Sequence, residues 1–300
     1  MWDLARVAER RRVRVTGAEH AAADERPAHL RLDLRTVSIE DVLDRVERVL
    51  GLRLERTVAV RKRRTIGART NQGTWVRVEC RGDDRDTGQG WGLEAARVAR
   101  GVPAPRWFAG ASWLDEHRRV VWRADEIEHV DEQAIGRADA AIDLPSPWWG
   151  ELASAVDSIS RSRTTRRATP DCEPITQERV LGAITKVFPG LSGIELDEWS
   201  PAHADLGWPN LTAPKLWILD WEDYGLAPRG LDAASLWAGS LIVPALAAQV
   251  LRCLRADLES RSGRVMRLFK CAELLAWADD REPLYSPMGV EAEKLLAEGF

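Results

Sequence analysis

Eight residues constrain this chain more than any others: His203-Ala204-Asp205-Leu206-Gly207-Trp208-Pro209-Asn210. Ten residues after Asn210, the apolar run Ile218-Leu219 ends in Asp220, followed by Trp221 and Glu222. The interval between Asn210 and Asp220 accommodates two short strands and a turn at Ala213-Pro214-Lys215. Such a hairpin holds a carboxamide and a carboxylate at opposite ends of one site. Oxygen donors of this kind suit a hard divalent cation. A polar turn ahead of a buried strand uses Asp and Asn for turn chemistry alone, but it has no need of an apolar run closing on a further Asp. The spacing H-x-D-L-x-x-x-N arises by accident in roughly one chain of this length per thousand, which favours a built site.

These segments resemble the catalytic loop and metal-binding segment of the aminoglycoside phosphotransferase and choline kinase branch of the protein-kinase-like fold. That branch writes its second motif as I-D-W-E or a close variant, read here as Leu219-Asp220-Trp221-Glu222, and follows it with an Asp at a helix start, here Asp232. The resemblance covers residues 38–280. It implies an α+β, bilobal architecture, with a small antiparallel-sheet N-lobe carrying one key helix and a larger, mainly helical C-lobe. It also implies ATP, Mg2+ and transfer of the γ-phosphate to a hydroxyl of an amino sugar or related metabolite. Asp205 is then the catalytic base, and Asn210 and Asp220 are the magnesium ligands. His203 holds the loop, and Asp232 caps its helix. Trp208, Pro209 and Trp221 pack the site and exclude water. Glu222 and Asp223 are the acidic candidates on the side of a cationic acceptor.

The N-terminal half follows the pattern less closely. Ser38–Leu50 reads as a helix with Val42, Leu43, Val46, Val49 and Leu50 on one stripe. Strands are expected at 54–61 and 74–80, the second with Val76, Val78 and Cys80 on one face and Trp75, Arg77 and Glu79 on the other. Residues 65–73 form the candidate phosphate-covering turn. No G-x-G-x-x-G occurs, and the strand that carries a phosphate-binding Lys in this fold has none. Arg77 is its substitute, or else an exposed strand Arg; its planar fork differs in reach from an ammonium. Arg69 is a second basic candidate. Glu94, in the first turn of a helix over 93–100, either pairs with Arg77 or simply favours the helix dipole. Strands at 106–111 and 118–122 lead to a hinge at 123–126, where the backbone of Ala124 and Glu126 would meet the adenine edge. The expected division is an extension over 1–37 of uncertain packing, an N-lobe over 38–122, the hinge, and a C-lobe over 127–300.

Helices are expected at 131–143, 148–160 and 176–188, and through most of the last third of the chain. The Ser/Thr/Arg-rich stretch 158–169 reads as an exposed loop. Residues 233–251 carry no charge over nineteen positions, long enough for a membrane span. Pro244 and the polar Ser235, Ser240 and Gln249 favour instead a buried helix bent or broken near the proline. The net charge of −4 does not suit a nucleic-acid partner. Four scattered Cys and an N-terminus without a secretory pattern fit a cytoplasmic protein with reduced thiols and no membrane association. A reading from another class also stands: a kinase-like scaffold that holds nucleotide without turnover, favoured by the missing Lys and opposed by the intact Asp205, Asn210 and Asp220. No short pattern names the acceptor or the oligomeric state.

Overall fold

The computed structural model describes residues 32–82, 92–141, 143–170, 173–191 and 193–300. The expected extension over 1–37 therefore lies almost wholly outside the described residues. The chain divides into two compact units, crossing between them at 97/98, 104/105 and 131/132.

The smaller unit opens with α1 (Glu40–Leu50). Its apolar residues Val42, Leu43 and Val46 recur at helical spacing and are buried. Gly51 ends the helix at φ 68°, its N–H donating to the Glu47 carbonyl. Five strands follow: β1 (Val60–Arg61), β2 (Thr65–Arg69), β3 (Thr74–Gly82) and, after the short α2 (Gly92–Ala95), β4 (Trp107–Asp115) and β5 (Val120–Glu128). They form one antiparallel sheet in the order β1-β2-β3-β5-β4. Period-two alternation sends Val76, Val78 and Cys80 of β3 and Trp122 and Ala124 of β5 into one core with α1.

Three expectations need correction here. The segment 54–61 is strand only at Val60–Arg61, because a 3-10 turn at Arg56–Val58 interrupts it. The proposed phosphate-covering turn at 65–73 is mostly β2, whose backbone pairs with both β1 and β3. Residues 123–126 are the middle of β5, bonded to β3 on one side and β4 on the other, so they are no hinge. The chain leaves this unit at 131/132 instead.

The larger unit contains β6 (Gln133–Ala134), α3 (Ser146–Ser160), α4 (Gln177–Val187), β7 (Trp199–Ala202), β8 (Thr212–Ala213) and β9 (Gly225–Pro228). Helices α5 (Leu231–Ser240), α6 (Pro244–Cys253), α7 (Arg255–Leu258), α8 (Arg261–Leu275) and α9 (Tyr285–Glu298) complete it. Helix α4 begins at the Thr176 cap, whose side chain accepts from Arg179 N at 3.1 Å. Val180, Ile184 and Val187 form its buried face. The expected helix over 131–143 is not formed. Ile135 N donates to Leu211 O and Gly136 N to Trp208 O, so tertiary hydrogen bonds claim backbone groups that a helix would use internally. The uncharged stretch 233–251 is split between α5 and α6, with Pro244 opening the second helix. Among the described residues, no helix is long and apolar enough to cross a membrane.

Burial pushes the Cys80 thiol up to about 11 and the Cys271 thiol up to about 12, and the reactive species is the thiolate. At about pH 8, iodoacetamide is expected to leave both unmodified in the native protein and to label both after denaturation. Peptide mapping showing rapid native labelling of either would contradict this packing.

Candidate active site

Strand β7 delivers the chain into the loop that begins at His203. Here Ala204 adopts φ 72°, and beyond the hairpin Asp220 adopts φ 62°. These are two of three non-glycine residues with left-handed backbone among those described. Such conformations cost on the order of 1–3 kcal/mol each and persist where surrounding bonds over-determine them.

At Ala204 the bonds come from Asp232. Its two carboxylate oxygens accept from His203 N and Ala204 N, each at 2.7 Å. The expected cap is thus a correction: Asp232 sits inside α5, whose N-cap is Gly230, and it satisfies the loop rather than its own helix. Burial pushes its carboxyl upward, opposed by His203 and by the two N–H donors.

The His203 ring is fully buried. Its Nδ1 accepts from Asp205 N at 3.2 Å, which leaves the proton on Nε2 to donate to Leu219 O at 2.8 Å. The ring meets Trp221 edge-on at 4.8 Å between centroids. Leu219 N in turn donates to Asn210 O at 2.8 Å. The residue preceding Asp220 is therefore bonded to both ends of the loop. Thr212 closes the hairpin, its hydroxyl donating to Lys215 O at 2.7 Å and accepting from Trp217 N at 2.8 Å.

Asn210 Nδ2 donates to both the carbonyl and a carboxylate oxygen of Asp205, each at 2.8 Å. This fixes the amide's orientation and turns its Oδ1 away from Asp205. Asp205 and Asp220 are exposed and Asn210 is half-buried. Trp208 stacks on Trp148 at 6.3 Å and donates to Ser240 Oγ at 3.0 Å, anchoring the loop in the helical core. One carboxamide and one carboxylate suit magnesium, which takes few protein oxygens and completes its shell with phosphate oxygens and water.

The Ser/Thr/Arg-rich stretch 158–169, expected to be an exposed loop, buttresses the segment after Asp220. Arg166 donates to the Tyr224 and Glu222 carbonyls, and Ser162 Oγ lies 2.7 Å from the Tyr224 hydroxyl. Thr169 donates to Asp223 Oδ1 at 3.0 Å. Asp223 is consequently buried and committed to the fold, so it is not an acceptor-side group. Glu222 is half-buried. Gly225 makes this packing possible: a Cβ there would lie 2.4 Å from Ala168 N. Gly225→Ala is expected to destabilise the protein by about 1–3 kcal/mol, towards the upper end because backbone must give way. An unchanged denaturation midpoint would refute that.

In the smaller unit, Arg77 does not meet Glu94 as expected. Its Nη1 pairs with Glu79 at 2.9 Å. Glu94 pairs instead with Arg123 of β5 at 3.2 Å, and Arg123 also grips Asp125 at 2.5 Å. The register explains the exchange, because Arg77 lies opposite Asp125 and Glu79 opposite Arg123 on one face of the sheet. Burial works against the Arg123 charge, but Asp125 and then Glu94 outweigh it and raise its pKa. Trp107 Nε1 donates to Asp125 at 2.7 Å. Arg123 was missed because its segment reads as a polar hinge. The period-two run Val120, Trp122, Ala124 beside Arg123 and Asp125 is the signal that marks a strand. Arg69 is held by Asp131 at 2.9 Å. Ala124 is buried in the core, and Glu126 accepts from Thr74 Oγ1 at 2.7 Å; neither side chain is available to a nucleotide, and the strand ladder occupies the backbone.

The five-stranded antiparallel sheet, the helical larger unit and the loop with its following hairpin define a protein-kinase-like fold. Solved structures of small-molecule kinases share it. One is a thermostable mutant of aminoglycoside phosphotransferase APH(4)-Ia in a ternary complex with AMP-PNP and hygromycin B, similar with a TM-score of 0.55 and 12% identity over 87% of this chain and 99% of that one. Another is amicoumacin kinase hAmiN in complex with AMP-PNP, Ca2+ and Ami, with a TM-score of 0.54 and 11% identity over 87% of this chain and 94% of that one. No family model and no curated protein matches the chain.

Proposed function

We propose that the chain is an ATP-dependent small-molecule O-phosphotransferase, moving the γ-phosphate to a hydroxyl of an amino sugar or related metabolite. One observation carries this reading. Asn210 grips Asp205 through both the backbone and the carboxylate, while His203 and Asn210 together pin the residue before Asp220. This is the arrangement that a base and two metal-directed oxygens need.

Asp205 accepts a hydrogen bond from the acceptor hydroxyl, aims it and takes its proton late. Asn210 Oδ1 and the Asp220 carboxylate would hold Mg2+, which when bound would supply positive charge to the phosphate oxygens. Phosphoryl transfer asks chiefly for such positioning and positive charge. On the nucleotide side, the smaller unit offers Arg77 and the Arg123–Glu94 pair in place of a strand Lys. Glu222 is the remaining candidate for a cationic acceptor. A requirement for ATP fits a cytoplasmic enzyme.

The scaffold reading is favoured by one feature, the absence of Lys from β3. A thermal-shift titration separates binding from its absence. Mg-ATP at about one hundred times its Kd should stabilise the protein by about 2.7 kcal/mol, and Asp220→Ala should abolish the magnesium-dependent part. Stabilisation that ignores both magnesium and Asp220→Ala would remove the metal site from the proposal. Binding without transfer across a broad panel of hydroxyl acceptors would favour the scaffold.

A further inference from the structure

The two edges of the antiparallel sheet are built differently. β1 forms one edge and β4 the other. A free edge offers unpaired N–H and C=O groups to any strand that meets it, so proteins shorten such edges, charge them or cover them. β1 follows that rule. It is two residues long, one of them is Arg61, and Lys62, Arg63 and Arg64 follow directly. β4 breaks it. It runs nine residues, Trp107–Asp115, holds no Lys, Arg or Pro, and carries a charge only at its last position.

The outer side of β4 is open. Among the described residues, no backbone group of 109–113 bonds beyond β5. Phe108 and Leu114, near the two ends of the strand, are 42% and 53% exposed. One protective irregularity is present, a bulge between Trp107 and Ala109, and it leaves 109–113 regular.

The strand is complementary to its own reverse. Antiparallel two-fold pairing about Ala111 sets Ala111 against Ala111, Gly110 against Ser112 and Ala109 against Trp113. Small side chains meet at the axis, and a large one faces a small one outside it. Past the bulge, Arg106 of one copy comes beside Asp115 and Glu116 of the other. Arg106 and Glu116 are both exposed, and opposite charges across a strand pair stabilise it. A parallel alignment would instead set Arg106 against Arg106 and Glu116 against Glu116. The charges therefore select a second copy of the chain and give its direction.

We infer that β4 is a homodimer interface, at which two copies pair antiparallel about Ala111 and join their sheets into one. The inference is independent of the phosphotransfer reading, and its test reads association alone.

Sedimentation equilibrium of the full chain should show a concentration-dependent monomer–dimer equilibrium. Ser112→Lys places two ammonium groups close to the two-fold axis and should weaken the dimer by about tenfold or more. Arg106→Glu, at an exposed position outside the regular ladder, should weaken it by about fivefold or more, because the contact occurs twice in a symmetric dimer. Adding Glu116→Arg to that variant restores opposite charges between copies and should return the dimer to within about twofold of the wild type. The second substitution does not restore the bond of Arg106 to Glu128 within its own chain, 3.2 Å in length, so recovery reports contact between copies. Circular dichroism should show all three variants folded, and the Arg106 pair alone decides if Ser112→Lys is not. A chain that stays monomeric up to about 0.1 mM overturns the interface. A dimer indifferent to a folded Ser112→Lys moves association to another surface and overturns it too. Failure of Glu116→Arg to rescue Arg106→Glu overturns the antiparallel register.

Discussion

Asp205→Asn is expected to lower phosphoryl transfer to a hydroxyl acceptor by about a hundredfold to ten-thousandfold, the range that a positioned general base supplies. Nucleotide binding should survive. The substituted amide is isosteric, and its oxygen can still accept from Asn210 Nδ2, which contacts the Asp205 carboxylate at 2.8 Å. What disappears is the group that aims and deprotonates the acceptor. The measurement is kcat against acceptor concentration, with Mg-ATP affinity followed separately by thermal shift. Loss of transfer together with loss of nucleotide binding would show that the residue serves the loop's structure. Full activity in the variant would remove Asp205 from the chemistry altogether.

Asp232→Ala should produce the largest loss of stability of any substitution near the site. It strips the acceptor from His203 N and Ala204 N, both 2.7 Å from the carboxylate, in a position that is almost wholly buried. Each orphaned donor costs about 1–3 kcal/mol. Ala204 also loses what holds it at φ 72°. Asp232→Asn should fall between the two proteins, because one oxygen remains to accept while the amide nitrogen faces the second donor. Urea denaturation reads the series, and a wild-type midpoint for Asp232→Ala would dismiss the carboxylate as the clamp. Activity should fall alongside stability, since the same two bonds orient the residue preceding Asp205.

These two residues also show how far the sequence could be read. Asp205, Asn210 and Asp220 were legible because their spacing is local and the hairpin between them is short. The structure brings Asn210 onto Asp205 and ties it to the residue before Asp220. Asp232 was found but misassigned. An acidic residue at a helix start has an ordinary local explanation, whereas its true partners lie 28 and 29 positions away. Arg123 was lost in the same way. A charged residue inside a strand looks like a strand's end until the register sets Glu79 across from it. Composition misled at Arg166, because side-chain bonds to the Tyr224 and Glu222 carbonyls leave no mark on hydropathy. Tertiary partners chosen across long separations account for each of these misses.

Leu219 has one further implication. Its amide and its carbonyl are both spoken for, one by Asn210 and the other by His203, and Trp221 behind it is anchored to Ile218 O at 2.7 Å. A stretch fastened this way has little slack for swinging between an engaged and a retracted posture. Signalling enzymes that are toggled by covalent marks depend on such slack. On the phosphotransfer reading, the loop and the segment before Asp220 should keep their register between turnovers, with no switch at this point.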